Sequence, residues 1–146
     1  MLTKSTEYAI RALVYIQLQN WQSKRPGVAE IAENIESPAA FTAKILQLLT
    51  KHKLLRSAKG RGGGFFLEDT KQLTLYRVIV IIEGDSCFTR CGFGLMHCND
   101  TNPCPLHERY IDVRDGFLNI AKTETIQSVS KKIDEGKAVL SRLTEK

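Results

Sequence analysis

The segment that most limits what this chain can become is Ala58-Lys59-Gly60-Arg61-Gly62-Gly63-Gly64. Four of its seven residues are glycine, so a helix cannot run through it. Leu54-Leu55-Arg56-Ser57 precedes it and Phe65-Phe66-Leu67 follows it. Two short apolar stretches on either side of a turn-forming tip predict a β-hairpin. A phosphate-binding glycine loop is excluded by context, because such a loop opens a helix and Gly62–Gly64 opens a strand.

The residues before the hairpin read as helices. From about Lys4 to Gln19, Tyr8, Ala9, Ala12, Leu13 and Ile16 recur at helical spacing, with Thr3 or Ser5 available as a cap. Arg25-Pro26-Gly27 closes a loop. Val28, Ile31, Ala32 and Ile35 then mark a short second helix. Ser37-Pro38 signals a new start, with Ser as cap and Pro in the first helical position. That third helix runs to about His52 and buries Phe41, Ile45, Leu48 and Leu49. Two short helices joined by a tight turn form a helix-turn-helix. Followed by a hairpin, they make a winged helix.

Charge agrees with that reading. Residues 1–71 hold 11 Lys/Arg against 6 Asp/Glu, whereas residues 72–146 hold 10 of each. The excess concentrates at Lys51, Lys53, Arg56, Lys59 and Arg61, with no acid between them. A clustered positive patch suits a polyanion such as double-stranded DNA. In a helix-turn-helix the early residues of the second helix meet the base edges. Here those are Pro38, Ala39, Ala40, Thr42 and Lys44, with Gln47 a turn further on. Thr42 offers a hydroxyl, the alanines suit a thymine methyl, and Lys44 and Gln47 reach phosphate or base. Lys59 and Arg61 at the hairpin tip are expected in the minor groove or on phosphates.

The second half differs in kind. Leu73-Thr74 opens a fourth helix with Leu75, Val78, Ile79 and Ile82 inward, ending at Gly84. All four cysteines, Cys87, Cys91, Cys98 and Cys104, then fall within 18 residues of an expected irregular loop rich in Gly, Asn and Pro. Such clustering points to metal or redox chemistry. Thiolates are soft ligands for an iron–sulphur cluster or zinc, and a metal-free thiol switch uses the same residues. From about Pro105 to Lys122, Leu106, Tyr110, Val113, Phe117, Ile120 and Ala121 form an apolar stripe. The economical partner for that stripe is the same helix in a second copy. A tail helix is expected over 126–143.

In this order and spacing, the segments resemble the Rrf-two (Rrf2) family of bacterial transcription regulators, over nearly the whole chain. The matching pieces are Thr6-Glu7-Tyr8-Ala9-Ile10-Arg11-Ala12-Leu13, Val28-Ala29-Glu30-Ile31-Ala32 and Lys44-Ile45-Leu46-Gln47-Leu48-Leu49. The wing from Arg56 to Phe65, and Leu73-Thr74-Leu75 with Glu83-Gly84, complete them. The resemblance implies a homodimer held by the long helix on a palindromic operator. It also implies a [2Fe–2S] or [4Fe–4S] cluster on Cys91, Cys98 and Cys104, spaced C-x6-C-x5-C. His107 fits one family type's fourth ligand. Glu7 fits another type's, in which the carboxylate comes from the other protomer. Cys87 departs from the pattern and offers a third choice, or a disulfide partner. His97 directly precedes Cys98 and is expected to be a surface residue.

The expected fold is mostly α with a small β-wing. Residues 1–71 form the winged helix-turn-helix, 72–84 a connecting helix, 85–104 the cysteine-rich sensor loop, and 105–146 the dimerisation helix and tail. No catalytic set is present, so an enzyme is not expected. The longest apolar stretch, Val78–Ile82, is too short for a membrane span, and no signal-peptide layout opens the chain. A cytoplasmic protein without a membrane partner is expected.

Overall fold

The computed structural model describes residues 2–142. Its elements are α1 (Lys4–Trp21), α2 (Val28–Asn34), α3 (Ala39–Lys51), β1 (Arg56–Ala58), β2 (Gly64–Phe66), α4 (Leu75–Glu83), α5 (Ser86–Thr89), α6 (His107–Thr123) and α7 (Ile126–Asp134). The fold is mostly helical with one small antiparallel sheet.

Thr3 caps α1 by accepting from the Thr6 amide. The helix then buries Ala9, Ala12, Leu13 and Ile16 against Ile31, Ile35, Leu46 and Leu49. These residues form the larger of two cores. α3 begins one residue later than its start signal predicts. Pro38 occupies the cap position in an extended conformation (φ −62°, ψ 135°), and Ser37 makes no backbone cap. The Ser37 hydroxyl instead meets that of Thr42 at 2.6 Å.

The hairpin pairs Arg56 with Phe66, Ser57 with Phe65 and Ala58 with Gly64. Leu54 and Leu55 were expected in the strand, but they turn into the core and do not pair. The wing is docked at its root. Asn20 Nδ2 donates to Lys24 O and Phe65 O, and its Oδ1 accepts from Leu67 N. Phe65 N donates to Pro26 O at 2.9 Å. Gly64 has φ +144°, and a Cβ there would stand 2.1 Å from Arg25 O, so only glycine fits.

α4 is a wall shared by two cores. Val78 belongs to the larger one, and Ile79 to a smaller one with Phe88 and Ala121. Phe88 explains α5, a helical turn inside the segment expected to be irregular. Its ring stacks on Phe117 at 5.3 Å and meets Tyr76 at the same distance. Glu83, ending α4, accepts hydrogen bonds from Thr3 N, Thr3 Oγ1 and Thr6 Oγ1. This latch joins the start of α1 to the end of α4. Burial opposes the Glu83 charge, but the Thr6 and Thr3 donors outweigh it and hold its pKa below the ordinary carboxylate value.

α6 starts at His107, with Leu106 as cap, so Pro105 lies in the preceding turn and not in the helix. Its apolar stripe divides. Phe117 and Ala121 pack into the smaller core, while Leu106, Val113 and Ile120 are 46%, 57% and 53% exposed.

α7 changes the expected division of the chain. It packs with the N-terminal unit, although it was expected with the long helix in residues 105–146. Ile126 is fully buried in the larger core, with Val129 and Ile133 against it. Ile126 N donates to Leu73 O, and Leu75 N donates to Glu124 O. Gln127 bonds Leu73 N and Gln17. The tail helix is also shorter than expected. It ends at Asp134, and Leu143 lies outside the described residues.

Candidate metal centre and nucleic-acid surface

The cysteine segment runs along one face of α6. His107, Tyr110, Ile111 and Arg114 follow helical spacing, and all four line a cleft with Cys91, Cys98 and Cys104. The side chains come together for local reasons. Gly92 lies flush on the Tyr110 ring, where a Cβ would sit 2.3 Å from Cγ, and this sets Cys91 against the helix. Arg114 Nη1 donates to Thr89 O and Arg90 O, fixing the entry to the segment. Asn99 Oδ1 accepts from Thr101 N, Thr101 Oγ1 and Asn102 N, which turns the chain between Cys98 and Cys104. His107 N donates to Cys104 O.

The sulphurs sit in distinct settings. Cys91 is buried, and its Sγ accepts from Phe93 N at 3.4 Å. Burial works against its ionisation. The amides of Leu95, Phe93 and Gly94 and the Cys104 side chain outweigh that and lower its pKa below the ordinary thiol value. Cys98 Sγ stands 3.4 Å from His107 Nδ1. The Arg114 guanidinium stands beside Cys98, and the nearby sulphur raises the arginine's pKa further. Arg114 Nε is buried and has no hydrogen-bond partner among the described residues. His107 Nε2 faces Asp100 Oδ1 at 3.1 Å. One ligand atom from each of Cys98, Asp100 and His107 lies within 4.8 Å of the others.

The other candidate ligands are not in this cleft. Cys87 sits on α5 beside the smaller core and lines a neighbouring pocket with Arg90, Val113 and Phe117. Burial, then the Glu83 charge, raises its pKa. Glu7 pairs with Lys4 at 3.3 Å on the first turn of α1. His97 is exposed, and all four cysteines are free thiols. Asp100, Tyr110 and Arg114 were missed as site residues. Arg114 was within reach of sequence reasoning, because it lies two helical turns beyond His107.

On the winged helix, Pro38, Ala39, Ala40, Lys44 and Gln47 are exposed along α3, and Lys59 and Arg61 are exposed on the wing. Thr42 is the correction. It is 1% exposed, and its hydroxyl donates to Pro38 O at 2.9 Å. It lies three and four residues before the buried Ile45 and Leu46, on the same inward face. In the wing, Arg56 and Lys71 share Glu68, so part of the basic cluster is already paired. No helix among the described residues is long and apolar enough to cross a membrane.

A winged helix followed by a cysteine–histidine cleft points to a class, the winged-helix transcription regulators. The Rrf2 family model, described as an iron-dependent transcriptional regulator, matches residues 2–132. The chain belongs to the Rrf2 family of transcription regulators, which are not enzymes. Protein aau3 of Rhizobium meliloti (strain 1021) is 30% identical over 132 residues, covering 89% of this chain and 84% of its own length. The HTH-type transcriptional regulator IscR of Sodalis glossinidius is 30% identical over 122 residues, covering 81% and 73%. The solved structure of T. potens IscR superposes with a TM-score of 0.71 at 16% identity, covering 95% of this chain and 92% of that one.

Proposed function

We propose that this protein is a cytoplasmic homodimer that binds a palindromic operator. It reads redox state, nitric oxide or iron–sulphur status through a cluster on Cys91, Cys98, Cys104 and His107. The observation that carries this reading is the convergence of those residues on one cleft, beside a helix that also presents an unpartnered apolar row.

Two features fit an iron–sulphur cluster in particular. Three thiols and an imidazole form a soft donor set. The buried, unpartnered Nε–H of Arg114 leaves a positive donor beside Cys98, where an anionic group is favoured. When bound, the cluster supplies an oxidisable and labile group. The chain's own residues do the rest. Amides of the segment steady the Cys91 sulphur, Gly92 and Tyr110 hold the segment on α6, and Phe117 carries α6 onto α5 and α4. The row Leu106, Val113 and Ile120 repeats every seven residues, the spacing of a helix–helix seam with a second copy. A change at the cleft thereby reaches the relative placement of two recognition helices, and half-site spacing sets operator affinity.

For DNA, the exposed residues Pro38, Ala39, Ala40, Lys44 and Gln47 face the major groove. Lys59 and Arg61 meet the minor groove or phosphates. Thr42 supports α3 from inside.

Anaerobic purification tests the reading. The expected product is coloured, holds iron and sulphide, and differs from the cluster-free form in operator binding at fixed salt. A colourless protein with stoichiometric zinc would support a structural metal instead. A metal-free protein whose binding follows thiol oxidation would support a thiol switch, for which the lowered Cys91 pKa and its contact with Cys104 are the relevant features.

A further inference from the structure

The His107 ring is gripped at both nitrogens. Nδ1 faces Cys98 Sγ at 3.4 Å, and Nε2 faces Asp100 Oδ1 at 3.1 Å. The two partners differ in burial. The His107 side chain is 15% exposed and that of Asp100 is 82% exposed, so the carboxylate keeps its hydration. A carboxylate accepts and cannot donate, so among the neutral tautomers the contact at Nε2 favours the one with its ring proton there. Nδ1 then carries the lone pair, aimed at the sulphur side of the cleft.

We propose that Asp100 is a positioning residue for the centre. It fixes the tautomer and rotation of His107, so that Nδ1 is the atom presented as ligand beside Cys98. This rests on the reading of His107 as the nitrogen ligand. Histidine that binds a metal through one nitrogen commonly donates its other N–H to a carboxylate, and loss of that partner weakens metal retention about 10–100-fold. The local chain is built to hold this arrangement. Asn99 draws in Thr101 and Asn102 and so fixes the turn around Asp100. The Arg114 guanidinium stands beside Cys98 as well. The Asp100 carboxylate also comes within 4.8 Å of the Cys98 sulphur, and its ion-pair contact is with His107 Nε2 at 3.1 Å.

The test compares wild type, Asp100→Ala and Asp100→Glu, with His107→Ala as reference. In the reduced, cluster-free protein, 15N spectra of the imidazole are expected to show the Nε2–H tautomer in wild type. Asp100→Ala should give a mixture of tautomers, and Asp100→Glu should restore the single form. After anaerobic loading with ferrous iron and sulphide, Asp100→Ala should lose iron to a chelator about 10–100-fold faster than wild type, approaching His107→Ala. Asp100→Glu should recover most of the loss. The same tautomer and the same release rate in Asp100→Ala as in wild type would overturn the proposal. A wild type that takes up neither iron nor sulphide would overturn the cluster reading alone, while the imidazole spectra still decide whether Asp100 holds His107. Because Asp100 is exposed, both Asp100 variants are expected to melt with wild type, and that measurement separates positioning from unfolding.

Discussion

The winged helix and the cysteine segment are held in opposite ways. In the first, Leu13, Ile16, Ile31, Leu46 and Leu49 are fully buried and exclude water from a continuous apolar core. In the second, Phe93, Leu95 and Met96 are 54%, 53% and 89% exposed, and order comes from a few polar contacts and one glycine on a ring. Burial at about 25 cal/mol per Å² gives the first region stability independent of any ligand. The second region owes its shape to Gly92 on the Tyr110 ring and to hydrogen bonds of Arg114 and Asn99. A region closed by burial and a segment held by polar contacts are thus built from different forces.

The sharpest way to break this contrast is to exchange the damage. Leu46→Ala opens a cavity in the larger core and is expected to cost about 2–5 kcal/mol in chemical denaturation. Cys98→Ala should leave the unfolding midpoint of the cluster-free protein nearly unchanged while abolishing metal retention. A large loss of stability in Cys98→Ala would mean that the two regions are not energetically separate.

Next in size is Gly64→Ala. Its φ of +144° and the 2.1 Å approach to Arg25 O predict a cost of about 1–3 kcal/mol and a displaced wing. Operator affinity should fall while the visible spectrum of loaded protein stays the same.

The Glu83 latch sits where the regions meet, and Glu83→Ala should cost about 1–2 kcal/mol by leaving the buried Thr6 hydroxyl with only Thr3. Its pKa is lowered in the fold, so the unfolded chain binds the proton more readily. The stabilisation is therefore complete above the ordinary carboxylate range and is lost as pH falls through the depressed value. Acid titration of stability should show wild type and Glu83→Ala converging at low pH. Smallest of all, Lys59→Ala and Arg61→Ala should leave stability unchanged and each lower the salt slope of DNA binding by about 1.

Much of the first region was legible because its signals are local. Thr3 caps, the 3.6-residue period marks the inward faces, and the glycines of residues 60–64 force the hairpin. Periodicity gives a face but not its partner. Hence α7 was placed with the long helix, although Ile126 enters the N-terminal core. Thr42 was misjudged for a related reason. A hydroxyl reads as outward until its partners, Ser37 and Pro38 O, are known. In the second region the candidate ligand cysteines were visible as a cluster. Asp100 and Arg114 were not, because their roles depend on a turn and a helix face that only tertiary structure brings to the same place.

The pairing of Leu75 with Glu124, and of Leu73 with Ile126, has a consequence in polymer terms. It ties together the two ends of everything that lies between, so the cysteine segment is the middle of a closed circuit. A tethered chain of this kind explores a small volume, and the entropy of closing it grows only slowly with its length. If the ligand set comes apart, Cys91 and His107 stay at millimolar-scale concentration with respect to each other, about what a short flexible tether provides. Reassembly is then a unimolecular event, with a rate that does not depend on how dilute the protein is.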